Sequence, residues 1–88
     1  MNTRMATYDG TLRKLEVVNA WMFHARPGFL LPGGIRLEAA TWVVIVWVSD
    51  RWSRSASGWA TIPVPEDRRV LEFAYDAALE DALVVARG

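Results

Sequence analysis

Residues 42–48, WVVIVWV, constrain the fold most, because seven β-branched or aromatic residues follow one another without a polar side chain. Successive side chains of a strand point to opposite faces, and here both the odd and the even positions are apolar. The segment therefore predicts a strand that is covered on both faces of its sheet. It is far shorter than the ~20 residues that span a bilayer, and Asp50 and Arg51 follow at once, so a membrane segment is excluded.

The segment after Pro65 predicts a long C-terminal helix. A first helical residue needs no N–H donor, which suits Pro65, and Glu66 and Asp67 place negative charge at the positive end of the helix dipole. Residues 70–86 contain no glycine or proline, and Arg87 follows at the negative end. We therefore expect a helix that begins at Pro65 and runs to about Arg87.

This helix is predicted to carry an acidic row and a wide apolar sector. Glu72, Asp76 and Glu80 recur at four-residue intervals and form the acidic row. Asp81 falls inside the apolar sector, where an unpaired carboxylate is costly, so it is expected to meet an arginine or to lie at a rim. The apolar sector is wider than one sheet face needs. Its central members are Leu71, Tyr75, Ala78, Leu79, Ala82 and Val85, and it is extended by Val70, Phe73, Ala77 and Val84.

Other strand signals lie on either side of residues 42–48. Residues 59–64, WATIPV, predict a short strand that Pro63 ends or confines to an edge. Residues 50–58, with their serines and final glycine, predict a hairpin loop before it. Residues 34–39, GIRLEA, alternate apolar and charged side chains and predict a half-exposed strand. A loop, RPGFLLPGG, precedes that strand.

Residues 11–25 allow either a strand or a helix. A strand is favoured by Val17, Val18, Trp21 and Phe23, and residues 8–11 would then form its hairpin turn. The helical alternative uses leucines, a valine and a methionine at three- and four-residue spacing, with a Pro–Gly stop signal. We favour the strand.

The chain thus predicts an α+β fold, a small antiparallel β-meander of three to four strands with a C-terminal amphipathic helix packed on one face. At 88 residues, we expect 1–88 to form a single domain.

Composition limits the chemistry that the chain can perform. There is no cysteine, so disulfides and thiolate chemistry are excluded. His24 is the lone histidine, and the sequence offers it no partner for acid–base work and no companion ligands for a metal. No serine elbow or phosphate-binding loop occurs. We expect no enzymatic activity, no metal and no cofactor.

Charge and composition also bear on origin and location. The formal net charge is zero, but residues 1–58 carry seven basic and four acidic groups, whereas residues 59–88 carry three basic and six acidic groups. Nine arginines and one lysine are typical of a GC-rich bacterial or phage gene. The first residues lack the apolar stretch of a signal peptide, so we expect a cytoplasmic protein.

Surplus apolar surface points to protein binding. One helix cannot cover both faces of a sheet, so either the N-terminal segment or another chain must cover the second face of residues 42–48. Tryptophan and arginine dominate the energetics of interfaces. The chain is therefore predicted to be a bacterial or phage inhibitor or regulator that occludes a protein partner, and to form a homodimer. The residues expected to bind the partner are Arg51, Trp52, Arg54 and Trp59 near the hairpin, and Glu72, Asp76 and Glu80 on the helix.

Nucleic-acid binding is the alternative function. Arg51, Trp52 and Arg54 could contact phosphates and stack on bases. A net charge of zero weighs against this function, because such binding depends on a basic face that releases counterions. Protein binding is therefore favoured.

Overall fold

A computed structural model shows the fold, and it describes residues 5–7, 14–50 and 55–87. The elements are β1 (Met5–Thr7), β2 (Lys14–Ala25), β3 (Thr41–Ser49), β4 (Ser55–Ile62) and the helix α1 (Arg68–Arg87). The sheet order is β1-β2-β3-β4, with every neighbouring pair antiparallel. The helix packs on one face, across β4 and β3. The predicted α+β meander with a C-terminal helix is confirmed.

The central strand β3 is covered on both faces. Val44, Val46 and Val48 are buried in the cluster beneath α1. Val43 and Ile45 are buried in a second cluster on the opposite face. Alternation of side chains along a strand divides these residues between two separate cores. The interpretation of residues 42–48 as a strand covered on both sides is confirmed.

The helix approaches the sheet closely because its contact surface is made of alanines. Ala74, Ala78, Ala82 and Ala86 recur every four residues and are buried. Below them lies Gly58 of β4, where an added Cβ would collide with the carbonyl oxygen of Ala78 and the amide nitrogen of Ala82. Glycine and alanine together therefore let helix and strand backbones meet.

The predicted apolar sector of α1 is only partly correct. Ala78 and Ala82 are buried, and Leu71, Tyr75 and Leu79 pack half-buried at the edge of the same cluster. In contrast, four members of the predicted sector are exposed: Phe73, Ala77, Val84 and Val85. The buried side of α1 is instead centred on Ala74, Ala78, Ala82 and Ala86, with Leu83 beside them, so the four exposed residues lie on the outer side of the helix.

The helix begins at Arg68, and the predicted start at Pro65 is wrong. The Asp67 carboxylate Oδ1 accepts hydrogen bonds from the backbone N–H of Arg69 (2.9 Å) and Val70 (3.4 Å). Asp67 is therefore the N-cap, since it satisfies N–H groups that the first helical turn cannot. Pro65 lies in the preceding turn, which is closed by a bond from Asp67 N to Val64 O (3.1 Å).

Two Pro–Gly turns shape residues 26–40, between β2 and β3. Gly28 and Gly33 have φ angles of 87° and 94°, and each follows a proline, which is the arrangement of a type II turn. Bonds of 3.1 Å close the turns, from Phe29 N to Arg26 O and from Gly34 N to Leu31 O. The second turn folds residues 35–37 back onto residues 28–31, where backbone bonds join Gly28 N to Leu37 O and Leu31 N to Ile35 O, both at 2.8 Å.

Residues 26–40 cover the second face of the sheet. Leu31 is buried, and Leu37 packs with it against Val43 and Ile45. Within the described residues, this face is therefore covered by the connection between two adjacent strands, which the residue pattern did not predict. The predicted strand at 34–39 is wrong, because this part of the loop makes only an isolated bridge, between Leu30 and Arg36.

The remaining strand predictions have mixed outcomes. The strand expected at 59–64 is present but begins earlier, at Ser55, and ends at Ile62, before the proline. Ser55–Gly58 thus belong to β4 rather than to the hairpin loop predicted at 50–58. For residues 11–25 the strand interpretation is confirmed over Lys14–Ala25. The turn predicted at 8–11 lies outside the described residues.

Candidate protein-binding surface

Three tryptophans share the sheet face opposite α1, and we call Trp21, Trp47 and Trp59 the tryptophan face. Trp21 of β2 pairs with Ile45 of β3, which pairs with Trp59 of β4, so these side chains form one row across three strands. Trp47 lies two residues along β3 on the same face. Its ring is edge-on to that of Trp21, with 5.9 Å between centroids and 68° between planes.

Exposure differs among the three rings. Trp47 and Trp59 pack half-buried against the cluster of Val43 and Ile45. Trp21 is 59% exposed, although its ring is held by the contact with Trp47. A large aromatic ring that is already oriented loses little conformational entropy on binding. The tryptophan face is therefore a preformed apolar surface.

The loop 26–40 extends the apolar surface beyond the tryptophan face. Phe29 of the loop contacts Phe23 of β2, with ring centroids 5.2 Å apart. Arg26 and Arg36 are exposed in the same loop, and the Arg36 guanidinium donates to the Gly28 carbonyl oxygen at 3.0 Å. The loop thus carries two exposed arginines and one exposed acid, Glu38.

A groove lies on the other face of the sheet, beside the first half of α1. It has a volume of about 540 Å³. Ala20 and Met22 of β2 line it on the strand side, whereas Leu71, Glu72 and Asp76 line it on the helix side. The groove exists because α1 lies across β4 and β3 and leaves this part of β2 uncovered.

The binding residues predicted from sequence fall on different surfaces. Trp59 lies in the tryptophan face, whereas Glu72, Asp76 and Glu80 are exposed on α1, on the other side of the sheet. The structure therefore does not bring Trp59 together with the acidic row. Glu72 and Asp76 border the groove. The other three predicted residues lie outside the described part of the chain: Arg51, Trp52 and Arg54.

Sequence reasoning missed Trp21 and Trp47 as surface residues. Trp47 could have been placed on the same face as Val43 and Ile45 from sequence alone, because residues two apart along a strand share a face. No such signal existed for Trp21, since its position depends on the pairing of β2 with β3. That pairing contains an irregularity between Val17 and Asn19, which shifts the register by one residue.

Asp81 has a different partner from the one expected. Its carboxylate oxygen Oδ2 accepts a hydrogen bond from the backbone N–H of Trp59 at 3.2 Å. The expected arginine is therefore replaced by a strand amide, and the half-buried carboxylate connects the helix to β4. An edge strand exposes alternate N–H groups, so this contact satisfies one of them.

Other chemical features are sparse in the described residues. The His24 ring lies edge-on to Trp42, with centroids 5.4 Å apart, which agrees with a structural role. Within 5–7, 14–50 and 55–87, no three metal-ligating side chains cluster, and no helix has the length and hydropathy that crossing a membrane requires.

No family model matches the chain, and no curated protein or solved structure shows significant similarity to it.

Proposed function

We propose that this protein is a non-catalytic module that binds another protein through the tryptophan face. The observation that carries the proposal is Trp21, which is 59% exposed yet oriented by its edge-on contact with Trp47. Tryptophans in such positions often contribute 2 kcal/mol or more to binding, according to alanine substitution. Most single exposed apolar residues need no explanation, but a row of aromatic rings on one sheet face does.

The chemistry of the surface defines the partner. The tryptophan face is apolar, and the exposed Arg26 and Arg36 lie in the loop that extends it. The same loop also exposes Glu38. A complementary partner therefore has an apolar patch, with carboxylates that meet the two arginines and no acid opposite Glu38. We further propose that the protein acts stoichiometrically, as an inhibitor or regulator that occludes its partner in the cytoplasm of a bacterial or phage-infected cell. Its small size and arginine-rich composition support this role.

Comparing single-residue variants in affinity capture tests the proposal. The immobilised protein is exposed to lysate of the native host, and captured proteins are identified by mass spectrometry. A purified candidate is then titrated against the wild type, Trp21→Ser and Phe73→Ser. Phe73 is the matched control, because it is 76% exposed on the helix, on the other side of the sheet.

We expect Trp21→Ser to weaken binding by about 30-fold, the equivalent of ~2 kcal/mol. Phe73→Ser should bind like the wild type, and Trp21→Phe should retain part of the affinity. A partner that binds wild type and Trp21→Ser equally tightly would show that the tryptophan face is not the binding surface.

Nucleic-acid binding is the second candidate function. The exposed ring of Trp21 offers a stacking platform, and Arg26 and Arg36 add positive charge nearby. The residues first expected to carry this function, Arg51, Trp52 and Arg54, lie outside the described residues. A mobility-shift titration with single-stranded DNA and RNA at two salt concentrations tests it. If the nucleic acid shows no change in mobility even at low salt, this function is ruled out, because binding through phosphate contacts is strongest at low salt.

A further inference from the structure

Among the residues that the structure describes, the outer edge of β2 is unpaired along most of its length. β2 has 12 residues, but β1 pairs only with Lys14, Leu15 and Glu16. From Val18 to Ala25, no strand in the described residues pairs with the side of β2 that faces away from β3. Alternate backbone N–H and C=O groups along eight residues, about 26 Å of strand, therefore point outward with no strand partner in the described part of the chain.

This edge lacks the features that keep sheet edges from pairing. Residues 18–25, VNAWMFHA, contain no lysine, arginine, acid or proline. The opposite edge of the sheet differs, because there the Asp81 carboxylate occupies the backbone N–H of Trp59. Natural proteins commonly protect edges with inward-pointing charges of this kind, and a long unprotected apolar edge favours association.

Apolar side chains project from both faces of the open edge. Val18, Trp21 and Met22 are 60%, 59% and 47% exposed. Trp21 lies on the tryptophan face, and Met22 pairs with Val44 on the helix side. A strand added here would therefore bury apolar surface above and below the sheet as well as forming backbone hydrogen bonds.

We propose that a second copy of this chain occupies the edge, with the two β2 strands pairing antiparallel about a two-fold axis near Trp21 and Met22. A two-fold interface must be complementary to itself, and an uncharged apolar strand meets this condition when paired antiparallel. The formal net charge of zero adds no long-range repulsion between copies. The interface joins two four-stranded sheets into one continuous sheet.

The second copy completes the groove beside α1. With antiparallel pairing about this axis, both helices lie on the same face of the joined sheet, about 20 Å apart given ~4.8 Å between strands. This separation is twice the distance of packed helices, so the helices do not touch. The two half-grooves merge into one cleft, with Ala20 and Met22 of both copies as its floor and Glu72 and Asp76 along its walls.

The proposed dimer does not depend on the proposed function, although dimerisation would enlarge the surface available for binding another protein. Pairing at Trp21 would make the tryptophan faces of the two copies continuous. Each copy contributes about eight residues, fewer than the 20 to 30 per side in a standard interface. We therefore expect dissociation in the micromolar range, and the test must span protein concentrations above and below that range.

Light scattering and sedimentation velocity across this range test the proposal with charged variants. The wild type should shift from monomer to dimer as concentration rises. Val18→Lys and Met22→Lys should each weaken dimerisation at least tenfold, because a charge on the edge opposes strand pairing. Val84→Lys is the matched control on the outer surface of α1 and should dimerise like the wild type. Circular dichroism confirms that each variant is folded.

Cysteine crosslinking reports the geometry directly, because the chain has no cysteine of its own. Trp21→Cys should form an intermolecular disulfide on mild oxidation, since side chains opposite each other across a two-fold strand pair lie about 5 Å apart. Val84→Cys should dimerise like the wild type but form no intermolecular disulfide. A monomeric wild type throughout the range would overturn the proposal, and so would a dimer that neither lysine variant weakens. A wild type that dimerises but captures no protein partner would instead refute the proposed function alone.

Discussion

The Asp81 carboxylate accepts a hydrogen bond from the backbone N–H of Trp59 at 3.2 Å, which joins the middle of α1 to the outer edge of β4. Beside this bond, Gly58 lies directly against the helix backbone. The same two-residue stretch of β4 thus provides both a polar and a steric contact to α1. Together these contacts fix how the helix lies on the sheet.

Replacing Asp81 should loosen this contact. We expect Asp81→Ala to reduce the free energy of unfolding by about 1–2 kcal/mol, because a half-buried N–H loses a charged acceptor. Asp81→Asn keeps an acceptor oxygen and should lose less. Urea denaturation followed by circular dichroism measures both, with Glu80→Ala as the exposed neighbour that should leave stability unchanged. Equal stability of Asp81→Ala and wild type would mean that the bond contributes nothing.

Gly58 should tolerate no side chain. In Gly58→Ala the new Cβ meets the backbone of Ala78 and Ala82, which cannot rotate away as a side chain would. We expect a loss of about 3 kcal/mol in unfolding free energy, at the upper end of overpacking costs. Ser57→Ala, on the opposite face of the same strand, should change stability by less than ~0.5 kcal/mol. Thermal unfolding distinguishes the two, and similar melting temperatures would contradict the close packing.

Leu31 and Leu30 provide a matched pair in the loop 26–40. Leu31 is buried against Val43 and Ile45, whereas its neighbour Leu30 is 54% exposed. Leu31→Ala should cost about 2–4 kcal/mol through lost burial and the cavity left behind. Leu30→Ala should be close to neutral. Denaturant unfolding of the two variants shows whether the loop is part of the core, and equal costs would indicate that it is not.

The N-cap of α1 gives a further test. Asp67→Ala removes the acceptor of the Arg69 and Val70 N–H groups and should cost about 1 kcal/mol. Asp67→Ser restores a capping oxygen and should recover most of the loss. Glu66→Ala serves as the control, because Glu66 precedes the cap and makes no capping bond. If Glu66→Ala proved the more costly change in denaturant titration, the assignment of the cap would be wrong.

The sequence predicted the elements whose signals are local. Residues 42–48 are apolar at every position, and residues 70–86 contain no helix breaker, so β3 and α1 follow from pattern alone. The error at 34–39 arose because alternation of apolar and charged residues is common to strands and to tight hairpin loops. Two Pro–Gly turns decide between them, since Gly28 and Gly33 adopt positive φ angles and reverse the chain.

Features that depend on tertiary contacts could not be predicted in the same way. Trp21 reaches the tryptophan face only because β2 shifts register between Val17 and Asn19. The partner of Asp81 is a backbone amide 22 residues away, which no residue pattern identifies. The sector of α1 that meets the sheet was misjudged because it is centred on alanines that contact Gly58 rather than on the larger apolar side chains.

The two covers of β3 come from opposite directions along the chain. The loop 26–40 precedes β3, so the residues that cover Val43 and Ile45 are already synthesised when β3 leaves the ribosome. Val44, Val46 and Val48 must wait for α1, which ends at Arg87. At about 5–20 residues per second, the intervening residues take about 2 to 8 s to synthesise. During that interval the nascent chain displays a valine-lined strand face, which is a signal that chaperones bind and a site where neighbouring nascent chains can aggregate.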